Sequence, residues 1–555
     1  VNFKMNKIVY KHMSWPYRKD VKFWLTDKML WRNEERVIKD TKEDIENTGK
    51  ILTPLGIEWY GGMNPPSTDS EHPHYKVSAS EEDIQLIVRY ASMLESVGGH
   101  FLLQFDDYVL PMHPYDEERF DSLAERDIYL LNRLIAELKK KYPGAKILFC
   151  PPFYCGPDSY QTNLGDRKTM NAYFGALGQR LSKDVEIFWS GPRVKSWVVT
   201  KEHVRWITDL IQRKPVFWAN GYDSTHIHYN NYLTDPVYAW KENFYEGFLK
   251  DVDSLLLNSA FLDYMSINAT VSDYCWNPKA YDPEPSVREA AGKLCGPEAW
   301  PALVNLNTKL SYFDQYGDHK WFGVTPWGLK NTDEIGVKLQ EVNTAWEEVL
   351  RISKATRYYS GIEWYITILK NYYSRLCKNP ELQMKKFAEE AALSKEKAVQ
   401  DIKLNDKTDI FLCAYDFHGG GGPKNYGSSD LQKNEKHEVR LCTWVYGKRS
   451  AAPIMSSEFT IAPYPAADDY QLIISGQDET ETEKKCKIRI AVNGQQIFEG
   501  ENPFAELDWT RHAFRIPKSV LKQHNEISIS NIEDTARNGG PPFFMLNYAV
   551  IRKGR

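Results

Sequence analysis

The feature that most constrains the fold is an alternation of short apolar runs with longer amphipathic stretches, which continues from the first residues to about residue 280. The amphipathic stretch 121–141 carries apolar residues at the three- and four-residue spacing of a helix with one buried face. Strands that alternate with helices form a parallel sheet with helical crossovers. Seven runs have the length and composition of buried strands: 7–10, 57–60, 101–105, 147–150, 186–189, 216–218 and 254–257.

Each of these runs is followed at once by polar, glycine or proline residues, as in a (β/α)8 barrel whose strand ends build the active site. The sequence therefore predicts a multidomain α/β protein in which residues 1–284 form a (β/α)8 TIM-type barrel. Seven strands leave such a barrel one short, and the first run begins close to Val1. We expect the first barrel strand to lie upstream of this sequence, or the barrel to be irregular.

The rest of the chain changes character twice. Residues 285–404 are predicted to be a helical domain with long helices at 332–355 and 383–403, and residues 405–555 a β-sandwich with a flexible glycine loop at 418–422. Its strands include 470–475, 487–492, 510–516 and 526–529. Two roles are open for the aromatic residues of the sandwich: they form a sugar-binding platform, or they fill its core and dock it to the helical domain. These residues are Trp444, Tyr446, Tyr464, Tyr470 and Trp509.

Composition excludes several classes of protein. With 70 Lys+Arg against 75 Asp+Glu the net charge is -5, so we expect no nucleic-acid partner. No apolar run approaches the roughly 18 residues that a membrane helix needs. The eight cysteines lack the paired short spacings of a zinc site, so we interpret them as buried free thiols and expect no metal. The chain starts at Val1 without a signal-peptide pattern; a secreted or periplasmic location is compatible with a glycan-degrading enzyme, but the sequence leaves the compartment open.

Two adjacent carboxylates, Asp106 and Asp107, end the apolar run 101–105. Repulsion between neighbouring carboxylates raises the pKa of one, which suits a general acid, while the other stays ionised. The alternative is a helix cap or a surface pair. Glycosidases usually place two carboxylates on either side of the scissile bond, which neighbours in sequence cannot easily do. They suit the variant in which the 2-acetamido oxygen of an N-acetylhexosamine is the nucleophile.

Six ordered motifs then resemble the catalytic domain of family-84 glycoside hydrolases, the retaining β-N-acetylglucosaminidases that include O-GlcNAcases. The likeness covers about residues 4–280. The motifs are FDD at 105–107, the pair LFCP at 148–151 with YCG at 154–156, IFWSGPRV at 187–194, WAN at 218–220, LN at 257–258 and DYCWNP at 273–278.

This resemblance implies a role for each matching residue. Asp106 would hold the substrate amide N–H and Asp107 would be the general acid and then the base. Tyr154 would bond near the acetamido group, Asn220 would seat that group, and Asn258 would contact sugar hydroxyls. Trp218 and Trp276 would wall the pocket, although tryptophans at such positions are also ordinary packing.

Two sugar contacts of the family are altered here. Met13 stands where the family has a lysine that binds a sugar hydroxyl, so either Lys11 substitutes through a local shift or the contact is lost. Thr225 stands where the family has an aspartate that holds the outer hydroxyls, and Asp223 or His226 are the candidates to replace it.

The sequence thus predicts a retaining β-N-acetylhexosaminidase, most simply a β-N-acetylglucosaminidase, that acts through an oxazoline without metal or cofactor. Its partner would be a glycan or glycoprotein with a terminal N-acetylhexosamine. Two alternatives stay open: a noncatalytic glycan-binding protein on the same fold, and a glycosidase of altered sugar specificity. Exo or endo action and oligomeric state are left open too.

Overall fold

The structure is a computed structural model of the 555-residue chain. The residues that it describes fall into two compact units. Among the described residues, the first unit comprises those within 6–219 and 251–257, and the second those within 265–554. The described residues are 6–14, 30–67, 70–194, 196, 199–219, 251–257, 265–277, 279–310, 332–360, 362–363, 366–367, 380–426, 429–430, 435–436, 438–448, 453–464, 466, 468–479, 485–506, 508–533 and 542–554.

The first unit contains a seven-stranded parallel sheet whose strands follow one another in chain order. All seven predicted strands are confirmed, and parallel strands joined by helices give the predicted TIM-type barrel architecture. The strands are β1 (Lys7–Ser14), β2 (Glu58–Asn64), β3 (His100–Gln104), β4 (Ile147–Cys150), β5 (Val185–Trp189), β6 (Val216–Ala219) and β7 (Ser254–Leu257).

Helices connect these strands, and the apolar faces of the helices pack against the sheet. The predicted helix over 121–141 runs from Leu123 to Lys141, and the Ser122 side chain caps it by accepting from the Glu125 N–H. Its apolar positions are buried, as their spacing predicts. The described helices of this unit are α1 (Glu34–Leu52), α2 (Glu81–Glu95), the short α3 (Pro114–Glu117), α4 (Leu123–Lys141), α5 (Arg167–Arg180) and α6 (Lys201–Ile211).

Charged side chains link the amino-terminal ends of the strands. Lys7 Nζ, at the start of β1, lies 3.2 Å from Glu58, 2.9 Å from Glu186 and 3.0 Å from Asp253. Asp253 directly precedes β7, so this lysine joins the first strand of the sheet to the segment that enters the last. The sheet is therefore nearly closed into a barrel, with the carboxyl ends of its strands at the opposite mouth.

In the described part of the second unit, helices precede antiparallel sheets along the chain. The described helices are α7 (Met265–Trp276), α8 (Pro283–Cys295), α9 (Trp300–Leu310), α10 (Thr332–Ser353) and α11 (Pro380–Ile402). The predicted helix 332–355 is confirmed as α10, and the predicted helix 383–403 is confirmed as α11.

Two antiparallel sheets then form the predicted sandwich. The described strands are β8 (Ile410–Cys413), β9 (Gly421–Tyr426), β10 (Ser429–Asp430), β11 (Glu435–Lys436), β12 (Arg440–Val445), β13 (Ile454–Thr460), β14 (Tyr470–Glu479), β15 (Lys487–Val492), β16 (Gln495–Glu501), β17 (Thr510–Ile516), β18 (His524–Asn531) and β19 (Phe543–Lys553). One sheet has the order β17-β14-β19-β12-β9 with β8 paired to β19, the other has the order β13-β18-β15-β16, and β10 and β11 form a separate pair. Apolar residues from both sheets share one core, for example Leu472 and Leu546 from the first with Ile490 and Ile527 from the second.

The glycine run 418–422 differs from its predicted flexible loop. Gly421 and the next residue begin β9, and Gly421 is paired with Trp444 of β12. A Cβ at Gly421 would lie 2.2 Å from Trp444 Nε1, so glycine is required there for close approach of the strand to the indole. The prediction was wrong because the run was interpreted as flexibility, whereas its glycines make room for a buried ring.

Three of the five aromatic residues proposed for a sugar platform are buried: Trp444, Tyr446 and Trp509. Trp509 donates from Nε1 to the Glu438 carbonyl at 2.8 Å. The sequence left two roles open for these side chains, and the burial of these three supports packing in the core. The domain boundaries at 284/285 and 404/405 stay predictions.

Two further observations bear on the class of protein. Among the helices in the described ranges, none combines the length and the apolarity that a bilayer crossing requires. Seven of the eight cysteines lie in described parts of the chain, six of them are buried, and no disulfide joins any of the seven to another.

Candidate functional site

The aspartate pair lies in the loop after β3, at the carboxyl ends of the barrel strands. The Phe105 N–H still donates to the Cys150 carbonyl at 2.8 Å, so Asp106 and Asp107 follow directly where pairing with β4 ends. Asp107 has a φ of 56°, a left-handed conformation that few residues other than glycine adopt. Such backbone conformations persist only where surrounding contacts hold them in place, and they concentrate at functional sites. Asp106 is half-buried and Asp107 is exposed.

The neighbouring loop after β2 holds this turn. Ser67 Oγ donates to the Asp106 carbonyl at 3.0 Å, and the Val109 N–H donates to the Ser67 carbonyl at 3.1 Å. One residue thus clamps the backbone on both sides of Asp107. The direction of the two carboxylates is therefore set by main-chain contacts and not by the flexible side chains alone.

Tyr154, in the loop after β4, contacts the pair directly. Its hydroxyl donates to Asp107 Oδ1 at 2.7 Å, and its side chain is buried. Burial and the adjacent Asp107 carboxylate raise the pKa of Tyr154 far above its usual range. The phenol therefore keeps its proton and stays a hydrogen-bond donor throughout the ordinary pH range.

The loop after β5 fixes the backbone of Tyr154. The Ser190 N–H donates to the Tyr154 carbonyl at 2.8 Å, and the Gly156 N–H donates to the Gly191 carbonyl at 3.0 Å. Gly191 has a φ of 102°, and a Cβ there would lie 2.4 Å from Ser196 Oγ. The glycine of the SGPR motif is thus needed for both its conformation and its close contact.

Trp218 stands at the carboxyl end of β6 and belongs to the same buried cluster of the barrel interior as Tyr154. It is 8% exposed, and its ring centroid lies 5.2 Å from that of Phe188. The structure thus brings together Asp106, Asp107 and Tyr154 and places Trp218 in the barrel core near them. A small exposed edge is all that Trp218 offers to a ligand in this conformation.

Most of the other predicted site residues are not among those that the structure describes. Asn220, Asp223 and Asn258, together with Thr225 and His226, lie outside the described residues. Trp276 lies in α7 of the second unit and is 70% exposed. Their roles stay predictions.

The segment around Met13 carries a register irregularity. Tyr10 is paired with Gly61 and Met13 with Met63, so β1 has one more residue than β2 between these pairs. Lys11 falls within that irregularity, at the position for which the sequence predicts a local shift as one alternative. The replacement of the family lysine by Lys11 stays a prediction.

Sequence reasoning missed two buried cations beside the aspartate loop, Lys76 and Arg126, which are 1% and 0% exposed. The sequence did contain a signal for Arg126. Its neighbour Asp127 lies four residues before Leu131 and seven before Leu134, a spacing that places Asp127 on the buried face of α4. Charged residues at such positions indicate a buried polar network and not a solvated face.

No metal ligands gather at this mouth in the part of the chain that the structure describes, since no group of three or more His, Cys, Asp or Glu side chains could hold an ion there. What the described site offers is two carboxylates and a phenol. Such a group can orient an amide, transfer a proton and stabilise developing positive charge.

Comparison with known families supplies further evidence on this domain. Residues 66–308 match the family model NAGidase, described as beta-N-acetylglucosaminidase. Over these residues the chain is similar to the β-N-acetylglucosaminidases of family 84. The matched segment includes the aspartate pair, Tyr154 and Trp218, and the family resemblance carried by the sequence motifs is confirmed.

The chain is also similar to the proteins named Protein O-GlcNAcase from Rattus norvegicus and Mus musculus. Each is 31% identical over 132 residues, which is 24% of this chain and 13% of the relative. The chain therefore matches only a small part of each rodent protein. A mutant O-GlcNAc hydrolase of Thermobaculum terrenum superposes with a TM-score of 0.43 at 18% identity, over 72% of this chain and 91% of that one.

Proposed function

We propose that the protein is a retaining β-N-acetylhexosaminidase that cleaves terminal β-linked N-acetylglucosamine by substrate-assisted catalysis. The observation that carries the proposal is the adjacent pair Asp106 and Asp107 at the carboxyl end of β3, with Asp107 held in a left-handed turn and bonded by Tyr154. Neighbouring carboxylates on one turn act from the same side of a substrate, so the nucleophile has to come from elsewhere. The acetamido oxygen of the sugar supplies it.

The proposed first step forms an oxazoline. The Asp106 carboxylate accepts a hydrogen bond from the acetamido N–H and takes up that proton as positive charge develops on the amide. The acetyl oxygen attacks C1, the glycosidic C–O bond breaks, and the protonated Asp107 carboxyl gives its proton to the leaving oxygen.

The second step runs the same groups in reverse. Asp107, now a carboxylate, removes a proton from water, which attacks C1 from the face that the aglycone left. The C1–O bond of the oxazoline breaks, its electron pair returns to the acetyl oxygen, and Asp106 returns the proton to nitrogen. Two displacements at C1 give net retention of configuration.

Tyr154 supports this scheme because its neutral phenol donates to Asp107 at 2.7 Å. A hydrogen bond to an ionised acceptor is stronger than one to a neutral acceptor. Tyr154 would therefore stabilise Asp107 most in the steps in which that group is a carboxylate, and would fix the direction of its oxygens.

The substrate class follows from the chemistry and from the names of the relatives. The acetamido mechanism requires an N-acetylhexosamine, and the rodent relatives are O-GlcNAcases. We infer a glycan or glycoprotein with terminal β-N-acetylglucosamine as the partner. Met13 and Thr225 replace two family contacts to the far hydroxyls, so a different or decorated terminal sugar is the variant of this proposal to test alongside.

The test of participation by the acetamido group is a series of aryl β-glucosaminides whose N-acetyl group carries none, one, two or three fluorine atoms. Fluorine withdraws electrons from the acyl oxygen, so kcat/KM should fall with every fluorine. A rate that is indifferent to fluorine would overturn the proposal in favour of an enzyme nucleophile. Saturable binding of the sugars without turnover would favour the noncatalytic glycan-binding alternative.

Asp106→Asn gives a second arm of the same experiment. An asparagine cannot take up the amide proton, so turnover of all four substrates should fall together. If Asp106→Asn kept wild-type rates, Asp106 would not orient the amide.

A further inference from the structure

The two residues that flank the aspartate pair are aromatic, and one buried cation contacts both of them. Phe105 precedes the pair and Tyr108 follows it, and each is 1% exposed. The guanidinium carbon of Arg126, from α4, lies 4.9 Å from the ring centroid of Phe105 and 5.1 Å from that of Tyr108. A guanidinium over an aromatic ring is attracted by the negative face of the ring. Arg126 thus holds both ends of the turn that carries the carboxylates.

Arg126 is itself fixed on its other side. Its Nε donates to Asp127 Oδ1 at 2.5 Å, and its Nη1 lies 3.6 Å from Asp116 Oδ2. All three side chains are fully buried. Tyr173 of α5 donates from its hydroxyl to Asp127 Oδ2 at 2.6 Å, which completes the support. The position of the guanidinium is therefore defined by two carboxylates, and not by the rings that it contacts.

A second buried cation acts on the same turn from the loop before α2. Lys76 Nζ lies 4.6 Å from the ring centroid of Tyr108. It donates to the carbonyls of Val109 and Pro111, the latter at 2.7 Å. Asn163 Nδ2 adds a bond to the Tyr108 carbonyl at 2.7 Å. The backbone that leaves the aspartate pair is thus held by three carbonyl contacts.

We propose that Lys76 and Arg126 are positioning residues for the Asp106–Asp107 pair, acting through the ring of Tyr108 and the backbone of 105–111. This inference rests on the proposed function. It holds that the two cations align the proton donor, Asp107, without contacting the substrate themselves. Proton transfer is sensitive to distance, and a displacement near 1 Å can cost about 100-fold in rate. Releasing the turn should therefore impair protonation of the leaving group before it impairs folding.

The test is Lys76→Met, which keeps the length of the side chain and removes its charge and its donors. Substrates are a β-N-acetylglucosaminide with a poor alkyl leaving group and one with a 2,4-dinitrophenyl leaving group, which needs little protonation. We expect kcat/KM to fall at least 10-fold further for the alkyl substrate than for the dinitrophenyl substrate. Lys76→Arg, which keeps a cation, should recover part of that difference.

Arg213→Met is the matched control. Arg213 is a partly buried arginine that donates to five backbone carbonyls, all of them outside the turn at 105–111: those of Leu177, Leu181, Ser182, Val185 and Ile211. We expect it to lower the melting temperature while the ratio of the two kcat/KM values stays at the wild-type value. An equal loss on both substrates in Lys76→Met, as in this control, would overturn the positioning role.

A second measurement separates this inference from the proposed function. Hydrogen exchange at the Phe105 and Val109 amides, which donate to the Cys150 and Ser67 carbonyls, reports on the turn without any substrate. Exchange there should accelerate in Lys76→Met and stay unchanged in Arg213→Met. If wild type turns over neither substrate but this acceleration is seen, the proposed function fails and the positioning stands.

Tyr108→Leu covers the case in which Lys76→Met does not fold. It removes the ring that both cations contact and keeps the backbone bonds of the turn. The same leaving-group ratio and the same local exchange are expected. Unchanged exchange at 105–111 in both variants would refute the positioning role.

Discussion

At the scale of single residues, Asp107 is the position where the sequence signal and the geometry coincide. Its left-handed backbone turns it away from the strand direction of β3, and its side chain meets the Tyr154 hydroxyl. The sequence predicted the pair because two charges directly after an apolar strand have little use in a core. Charged residues on the buried face of α4 were a local signal for Arg126. The sequence could not predict the clamp by Ser67 or the contacts of Lys76. Those contacts join segments that are distant in sequence, and no local pattern records them.

Tyr154→Phe tests the bond to Asp107. Removing the hydroxyl deletes a bond to a charged acceptor, which is typically worth about 1.5–3 kcal/mol, so kcat/KM should fall about 10- to 150-fold. The matched control is Tyr548→Phe in the sandwich, whose buried phenol donates to Asp401 Oδ2 at 3.1 Å. Steady-state kinetics should show the loss in the first variant alone. Wild-type kcat/KM in Tyr154→Phe would remove this residue from the site.

At the scale of elements, strand positions followed from the sequence but strand ends did not. The run 57–60 predicts β2, which in fact extends through Gly61 and Gly62 to Asn64. These glycines pair with Phe101 and Leu102 of β3. Glycine was interpreted as the end of the strand, whereas pairing with a buried neighbour continued it, because tertiary contacts outweigh a weak intrinsic preference.

Two glycines of α5 give a test of how closely the outer helices pack. A Cβ at Gly178 would lie 2.1 Å from the Leu210 carbonyl of α6, whereas a Cβ at Gly175 meets nothing within 4 Å. Gly178→Ala should therefore lower the free energy of unfolding by about 1–3 kcal/mol through overpacking. Gly175→Ala should raise it by about 0.5–1 kcal/mol, since alanine is the better helix former. Thermal denaturation of both variants measures the contrast; equal shifts would contradict the packing of α5 on α6.

At the scale of the whole molecule, each unit buries a carboxyl group whose ionisation opposes folding. Burial raises the pKa of Asp116 in the first unit to about 6, and burial raises the pKa of Asp478 in the second to about 6. An unfolded aspartate has a pKa of about 3.9. The folded protein therefore binds these protons more tightly. The stability that they contribute is complete below about pH 4 and is lost as the pH rises through about 6.

Asp478→Asn isolates that effect in the sandwich, where Asn502 Nδ2 donates to Asp478 Oδ1 at 2.5 Å. The variant has no carboxyl group to ionise, so its unfolding free energy relative to wild type should rise between pH 4 and pH 7 by up to about 3 kcal/mol. Calorimetric melting at several pH values measures this. Asp469→Asn is the control of opposite sign, because the Lys518 N–H and the Arg515 side chain lower the pKa of Asp469. A difference between Asp478→Asn and wild type that does not vary with pH would contradict the account.

The order of secondary-structure types along the chain was the feature that the sequence predicted best. The alternation of apolar and amphipathic segments gave the barrel, the long helical periodicities gave the helices, and the short alternating segments gave the sandwich. The aromatic residues of the sandwich depend on packing that the sequence does not record. Tryptophans such as Trp444 and Trp509 are typical of sugar-binding platforms, but both side chains are buried in the structure.

The central claim is that Asp107 protonates the leaving group of an N-acetylhexosaminide, and one measurement tests it most directly. Wild type and Asp107→Asn are compared on 4-methylumbelliferyl β-N-acetylglucosaminide, its galacto epimer, and an alkyl N-acetylglucosaminide. We predict turnover of the gluco substrate by wild type. In Asp107→Asn, kcat/KM should fall about 10²- to 10⁴-fold on the alkyl substrate and distinctly less on the aryl one. An equal loss on both substrates, or no turnover of any of the three by wild type, would contradict the claim.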